Sequence, residues 1–234
     1  PNRTADEYAV WLTQLLALKT LKLRDIDSII IANVVPETAF NLRHFCEQYF
    51  DISPMVVGDR NLDLGLDIRI DNPDELGADR IVNAVGANNI YDGPLIIIDF
   101  GTATTFDITE ADGGYAGGLI APGINLSLEA LYNAASRLPR ITLEPQPNSQ
   151  ISENKYSVIG KSTRSAMQAG IYWGYIGLIE GIIERVKGEY KVPMQIIATG
   201  GLAPVFAGNS AMIQHVDQNI TLNGLVLIHK RNAQ

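Results

Sequence analysis

The sequence predicts an α/β protein from the rhythm of its segments, the character of its strands and its size. A strand at 28–35, a helix at 38–50 and a strand at 55–57 alternate as in a β-α-β unit. Residues 95–98 are apolar and rich in isoleucine, which is typical of a short strand buried in a sheet. A chain of 234 residues, 46% of them hydrophobic, is long enough for one large domain or two modest ones.

The first helix is predicted by Thr4 and Glu7, which form a capping-box pattern ahead of an apolar face. Further along, Asn72 and Pro73 give a helix-start signal. Gly77 follows and would cost about 1 kcal/mol inside a helix, so either the helix begins near Gly77 or a ligand approaches the backbone there. The break at 92–94 predicts the domain boundary, with a first domain at 1–93 and a second at 94–234.

The second half opens with a strand, a tight turn and another strand over residues 95–108. Asp99 ends the first strand and could hold a cation, while Gly101 permits a sharp turn. Thr102 and the two threonines after it could donate to phosphate oxygens or complete the coordination of a metal. The stretch lacks the Gly-Lys-Ser/Thr ending of a Walker A loop. A plain hairpin whose threonines suit strands explains the pattern equally well.

Glycines mark the remaining candidate sites. Those at 117, 118 and 123 precede a helix at about 125–135, whose N-terminus could bind an anion, although plain turns would also explain them. A strand at 194–198 leads into Gly200 and Gly201, where the missing Cβ would let a nucleotide approach. A terminal helix is expected at 221–230.

A long helix at about 164–187 carries a stripe of glycines on one face. They stand at positions 170, 174, 177 and 181. Since each glycine costs roughly 1 kcal/mol relative to alanine, something must pack closely against this face. Core packing would suffice, and a dimer interface is the more specific interpretation.

Composition excludes several classes of function. A net charge of −8 and a pI of about 4.9 argue against a general nucleic-acid or anionic-membrane binder. The uncharged run at 165–179 is shorter than the roughly 20 residues of a membrane span. Cys46 is the one cysteine, so no internal disulfide can form, and we expect a buried structural thiol in a cytoplasmic protein. Three scattered histidines suggest neither a zinc site nor a catalytic triad.

Over essentially its whole length the chain resembles the type III pantothenate kinases, because five motifs occur in the order and approximate spacing of that family. These are Gly77-Ala-Asp-Arg80, Asp99-Phe-Gly-Thr-Ala-Thr-Thr105, Gly117-Gly-Leu-Ile-Ala-Pro-Gly123, Gly160-Lys-Ser-Thr163 and Thr199-Gly-Gly-Leu202. The resemblance implies an actin-like fold of two ribonuclease H-like domains with mixed sheets flanked by helices. It also implies ATP-dependent phosphorylation of pantothenate to 4'-phosphopantothenate, the first step of coenzyme A biosynthesis.

The resemblance further implies a homodimer with pantothenate near the subunit interface, a divalent cation (magnesium) with ATP, and a requirement for potassium or ammonium. By matched position, Asp79 is the general base and Asp99 the ligand of the monovalent cation. The expected pantothenate contacts are Gly77, Ala78, Asp79, Arg80 and Thr163. The expected ATP contacts are Gly101, Thr102, Gly200 and Gly201. Without the resemblance, Asp79 and Arg80 would read as a helix-start acid beside a surface arginine, and Thr163 as a helix N-cap.

The chain departs from the family pattern in three places. The Asp-x-Gly-Asn-Thr-Asn phosphate loop that usually opens the family is absent, and we expect the natural protein to extend upstream of Pro1. Ile70 stands where the family usually has a tyrosine that touches pantothenate. The loop at 144–156 is longer than the family pattern suggests. The missing loop and Ile70 keep two alternatives open: a non-catalytic regulatory relative, and a kinase for another small hydroxylated substrate.

Overall fold

The computed structural model describes residues 3–134, 138–141 and 157–233 and shows an α/β protein. The predicted loop at 144–156 lies outside the described residues. The helices and strands run in the order α1 (Ala5–Leu18), β1 (Ile30–Ile31), α2 (Ala39–Phe50), β2 (Met55–Val56), α3 (Ala78–Asn88), β3 (Leu95–Phe100), β4 (Ala103–Thr109), β5 (Tyr115–Pro122), α4 (Ile124–Ala134), α5 (Thr163–Tyr190), β6 (Gln195–Thr199), α6 (Ala203–Ala207), β7 (His215–Val216) and α7 (Ile220–Asn232).

The chain forms two compact units that are each built from non-contiguous segments. The first unit comprises Pro1–Leu66, Asp71–Gly86 and Thr221–Gln234, and the second comprises Asp67–Ile70 and Ala87–Ile220. The terminal helix therefore belongs with the N-terminal half. The expected domains, 1–93 and 94–234, are each one continuous segment, unlike these units. This division into domains stays a prediction.

In the first unit, α1 begins with the predicted capping box. The Thr4 amide donates to Glu7 Oε2 at 2.7 Å, and the Glu7 amide donates to Thr4 Oγ1 at 3.3 Å. Helix α1 packs on α2 through a small apolar core that includes Phe45 and Cys46. Burial, followed by the nearby Glu47 charge, raises the pKa of the Cys46 thiol, which fits the predicted structural cysteine rather than a nucleophile.

Strands β1 and β2 form a parallel pair of only two residues each. The predicted strand at 28–35 is therefore much shorter than expected, because β2 provides only two partners. Helices α3 and α7 approach closely where Gly224 faces the Val82 carbonyl, a place where an added Cβ would overlap that oxygen. Near it, the Thr221 hydroxyl donates to the Oδ1 of buried Asn83 at 2.7 Å.

The second unit is a five-stranded mixed sheet in the order β5-β4-β3-β6-β7. The β3-β4 and β4-β5 pairs are antiparallel, whereas β3-β6 and β6-β7 are parallel. The predicted strand-turn-strand at 95–108 is confirmed as the β3-β4 hairpin. Helix α5 packs on the sheet through a core that contains Ile98, Phe100 and Ile179. Because strand side chains alternate between faces, Asp99 points to the opposite face from Ile98 and Phe100.

The glycine stripe of α5 does not pack against the core. Gly170, Gly174 and Gly177 are exposed, and a Cβ added at any of the three would meet nothing within 4 Å in the described part of the chain. Core packing therefore does not explain these glycines. Among the described residues, no helix has both the length and the hydrophobicity needed to cross a bilayer.

Candidate active site

The first group of candidate residues lies at the carboxyl ends of two adjacent parallel strands. Asp99 is next to last in β3 and is in register with Thr199, the last residue of β6. The Gly101–Thr102 turn follows β3, and Gly200 and Gly201 follow β6. The carboxyl ends of parallel strands are where open α/β sheets bind ligands. The fold thus brings together the predicted cation ligand and all four predicted ATP contacts.

Gly200 is required by the tight approach of the two strand ends. Its φ of +88° is unfavourable for residues with a side chain, and an added Cβ would lie 2.6 Å from Asp99 Oδ1 and 2.8 Å from the Phe100 amide nitrogen. Gly201 differs, because it is exposed and an added Cβ would meet no described atom within 4 Å. Gly200 therefore shapes the site, whereas Gly201 offers open backbone to a ligand.

The turn after β3 lies against the start of α4. Gly101 and Thr102 are exposed, and the Gly101 amide donates to the Ala103 carbonyl at 3.1 Å. A Cβ at Gly123 would overlap the Thr102 carbonyl oxygen, so only glycine lets α4 begin beside this turn. The helix N-terminus brings amide groups and a partial positive charge to a turn that carries a hydroxyl, which suits a phosphate.

Thr199 is a candidate site residue that the sequence analysis missed. It is 1% exposed, and its Oγ1 has no hydrogen-bond partner among the described residues. Residues in register on neighbouring strands project to the same face, so this hydroxyl lies on the Asp99 side of the sheet. Leaving a buried hydroxyl unpaired costs about 1–3 kcal/mol. Binding of a ligand that accepts a hydrogen bond from this hydroxyl, or of a cation that its oxygen coordinates, would therefore be favoured. Its place at the end of a strand, next to Gly200, was the available signal.

The second group, Gly77 to Arg80, lies in the first unit at the start of α3. The region begins as a short 3-10 turn at Pro73–Glu75, and the α-helix begins at Ala78. A continuous helix from Asn72 is therefore wrong, and the alternative that the helix begins near Gly77 is confirmed. The Gly77 carbonyl accepts hydrogen bonds from the amides of Arg80 and Ile81 at 3.0 and 3.1 Å.

Asp79 is held in a defined orientation at this helix start. It is half-buried, and its Oδ1 accepts a hydrogen bond from the Arg80 amide at 2.8 Å. A Cβ at Gly77 would lie 2.6 Å from the same oxygen, so the glycine makes room for the carboxylate. A negative charge in the first turn is stabilised by the helix dipole. The arrangement presents an oriented carboxylate beside an arginine. That carboxylate can accept a proton from an alcohol.

Thr163 lies elsewhere in the second unit, as the first residue of α5. The N-cap is Ser162, which exchanges hydrogen bonds with Ser165: the Ser165 amide donates to Ser162 Oγ at 3.1 Å, and the Ser162 amide donates to Ser165 Oγ at 2.9 Å. The N-cap interpretation of Thr163 is therefore wrong. Thr163 is exposed and lines a cavity of about 790 Å³ between α4 and α5, whose described lining contains no other predicted site residue.

In the part of the chain that the structure describes, no cluster of three or more His, Cys, Asp or Glu side chains could hold a metal ion. Asp99 and Thr199 together provide one carboxylate and one buried hydroxyl at the same strand ends. Such oxygen donors suit a hard cation.

Comparison with known proteins identifies the chain. The family model described as type III pantothenate kinase matches residues 1–185. The chain is 55% identical to the type III pantothenate kinase of Rhodospirillum rubrum over 99% of its own length and 86% of that protein. It is 52% identical to that of Caulobacter vibrioides over the same shares. A solved structure from Campylobacter jejuni, described as a Baf family transcriptional activator, has a TM-score of 0.56 at 21% identity over 89% of this chain and 84% of that one. That likeness concerns the fold alone, whereas the family model and the close relatives show that the chain belongs to the type III pantothenate kinase family.

Proposed function

We propose that this protein transfers the γ-phosphate of ATP to the primary hydroxyl of pantothenate and forms 4'-phosphopantothenate, the first step of coenzyme A biosynthesis. The observation that carries the proposal is membership of the family across nearly the whole chain, with relatives 55% and 54% identical over 99% of it. The oriented carboxylate of Asp79 supports it independently, because phosphoryl transfer to an alcohol needs a positioned proton acceptor.

In the proposed reaction Asp79 accepts the proton of the substrate hydroxyl as that oxygen attacks the γ-phosphorus. Arg80 is adjacent to it, and its guanidinium suits the carboxylate of pantothenate in a bidentate pair. Gly77 and Ala78 present backbone close to the same substrate. Positioning supplies most of the catalysis, since phosphoryl transfer leaves little covalent work to the protein.

The strand ends of the second unit are proposed to hold ATP. The Gly101–Thr102 turn and the start of α4 would bind phosphate oxygens, and the open backbone at Gly201 would contact the nucleoside. Gly200 keeps the two strand ends close together. A divalent cation, magnesium in this proposal, accompanies ATP and neutralises charge on the phosphates.

The fold is proposed to consist of two ribonuclease H-like domains. The mixed sheet of the second unit and membership of the type III pantothenate kinase family support it. Thr163 is assigned to pantothenate by its match to the family motif. The cavity that it lines also includes Gly170, the first glycine of the α5 stripe, which is the proposed interface of a homodimer.

The direct test is turnover of ATP by the full-length protein with pantothenate as the acceptor, with and without potassium. We expect pantothenate to be phosphorylated and potassium to raise the rate. Related small alcohols that carry a carboxylate serve as competing acceptors in the same assay. Turnover of one of these in place of pantothenate, or no turnover at all, would contradict the proposal.

Replacing Asp99 with asparagine is expected to weaken the response to the monovalent cation. The amide keeps the size and one acceptor oxygen but removes the charge that pairs with potassium, so the concentration for half-maximal activation should rise about tenfold or more. Initial rates across a potassium series measure this, with tetramethylammonium holding the ionic strength constant. An unchanged potassium curve would remove Asp99 as the ligand.

Replacing Gly174 with leucine is expected to convert a homodimer into monomers. A side chain at this position meets nothing within 4 Å in the described part of the chain, so the monomer should keep its fold while the close approach of a second α5 is blocked. Sedimentation velocity and circular dichroism measure the two effects. Glu189→Leu adds the same side chain to an exposed position of α5 outside the stripe and serves as the control. A variant that still sediments as a dimer would place the interface elsewhere.

A further inference from the structure

A short strap of chain, Asp67–Ile70, belongs to the second unit although the segments on both sides belong to the first. Ile68 pairs in parallel with Tyr115 of β5. The Tyr115 amide donates to the Asp67 carbonyl at 2.8 Å, and the Arg69 amide donates to the Tyr115 carbonyl at 2.8 Å. The strap is therefore docked on β5 through the backbone of Tyr115, whose amide and carbonyl both bond to it.

Side chains reinforce this docking through a single arginine. Arg69 Nε donates to Asp67 Oδ2 at 2.8 Å, Nη2 donates to Asp112 Oδ2 at 2.6 Å, and Nη1 contacts both Asp112 Oδ1 at 3.1 Å and Glu110. One guanidinium thus joins the strap to the loop between β4 and β5, with the fork geometry that favours arginine over lysine. These hydrogen bonds lower the pKa of the Asp112 carboxyl, and the Gly114 amide adds to the effect.

The residue on which the strap docks is itself fixed. Tyr115 is fully buried, and its hydroxyl donates to Asp107 Oδ1 at 2.7 Å. Asp107 is also fully buried and accepts a second hydrogen bond from Thr105 Oγ1 at 3.2 Å. The sheet register shifts next to this point, between Ile108 and Thr109, so that Tyr115 lies opposite Thr109. The anchor of the strap is therefore held by both its backbone and its side chain.

The strap leads directly into the substrate segment. Ile70 is followed by Asp71, and the chain reaches Gly77 and Asp79 within nine residues of Ile70. We propose that Arg69 is a positioning residue for pantothenate: it clamps the strap to β5 and so fixes the point from which the substrate segment starts. This inference rests on the proposed function, and it assigns Arg69 no contact with the reacting atoms.

Replacing Arg69 with alanine should release the strap. The three carboxylates that it joins would then repel one another, and the lead-in to the substrate segment would lose its fixed position. We expect KM for pantothenate to rise about tenfold or more, since small misplacements of substrate-binding groups are costly. KM for ATP should stay within about twofold, because the strap leads to the pantothenate segment and not to the strand ends. Arg69→Lys keeps the charge but not the fork geometry of the guanidinium. Its KM for pantothenate should lie between those of the wild type and of Arg69→Ala.

Gly114→Ala tests the same clamp without removing any charge. The added Cβ would overlap the Arg69 guanidinium and lie 2.6 Å from Nη1, so the end of this flexible side chain must move while the backbone can stay. KM for pantothenate should rise as it does in Arg69→Ala. In the double variant, Gly114→Ala should add nothing, because the group that it displaces is already gone.

Two controls match these changes. Arg43→Ala removes another arginine ion pair of comparable exposure, in which Arg43 Nη2 lies 3.0 Å from Asp59 Oδ2. Gly208→Ala adds a methyl group where the nearest described atom is 4.0 Å away and φ is −68°. Neither control should change KM for pantothenate. Hydrogen exchange of peptides that cover 67–70 provides a readout independent of catalysis, and it should be faster in Arg69→Ala and in Gly114→Ala.

The outcomes separate this inference from the proposed function. A wild-type protein that does not phosphorylate pantothenate overturns the function itself. A normal wild type with unchanged KM for pantothenate in both variants overturns only the role of Arg69. A lower melting temperature without any change in KM, or fully additive effects in the double variant, also overturns it, because each would show a structural contribution in place of a positioning one.

Discussion

Asp79→Asn is expected to lower kcat for pantothenate phosphorylation by about three orders of magnitude or more, in the range found when a general base is removed. The amide cannot accept the proton of the attacking hydroxyl. It can still accept the hydrogen bond that the Arg80 amide now gives to Asp79 Oδ1 at 2.8 Å. The helix start should therefore keep its geometry, and KM for pantothenate should change little.

Steady-state kinetics with the purified variant measure the effect, and its thermal unfolding shows that the fold is retained. Asp74→Asn is a matched control, because it makes the same chemical change in the same segment. The Asp74 side chain is 83% exposed and pairs at the surface with Arg60, so its loss should leave turnover unchanged. Wild-type turnover in Asp79→Asn would show that another group accepts the proton.

Local signals in the sequence predicted those parts of the fold that depend on near neighbours. The capping box of Thr4 and Glu7 and the hairpin after Asp99 formed as predicted, because each is determined within a few residues. The strand predicted at 28–35 was cut to two residues because its length depends on how much of β2 lies beside it. Pairing partners from elsewhere in the chain cannot be read from a local pattern.

In the candidate site, too, local patterns were predictable and features that depend on distant parts of the chain were not. The motifs located Asp79 and Asp99, but they could not separate two neighbouring glycines with different roles, Gly200 and Gly201. Their difference is a matter of distance to Phe100 and to the Asp99 carboxylate, which only the assembled strand ends define. Thr199 was missed for a related reason, since a threonine at a strand end is ordinary until its hydroxyl is found buried and without a described partner. The alternative interpretation placed the N-cap at Thr163 instead of Ser162, because adjacent hydroxyl residues give the same signal.

Gly200→Ala is expected to destabilise the second unit by about 2–4 kcal/mol and to abolish most activity. Two costs combine at this position. A φ of +88° places a side chain in the left-handed region, which costs roughly 1–2 kcal/mol. The added Cβ would also lie 2.8 Å from both the amide nitrogen and the carbonyl oxygen of Phe100. Those are backbone atoms of a central strand and cannot rotate away, so β3 and β6 must separate at their carboxyl ends.

Gly201→Ala makes the same chemical change one residue later and isolates these costs. Its Cβ would meet no described atom within 4 Å, and its φ lies outside the left-handed region, so the free energy of unfolding should stay within about 0.5 kcal/mol of the wild-type value. If ATP passes over this open backbone, KM for ATP should rise in Gly201→Ala while stability does not change. Urea unfolding and ATP kinetics on both variants separate the two roles. If both variants were as stable as the wild type, the structural role of Gly200 would be contradicted, because the strand ends could then part at Gly200 without cost.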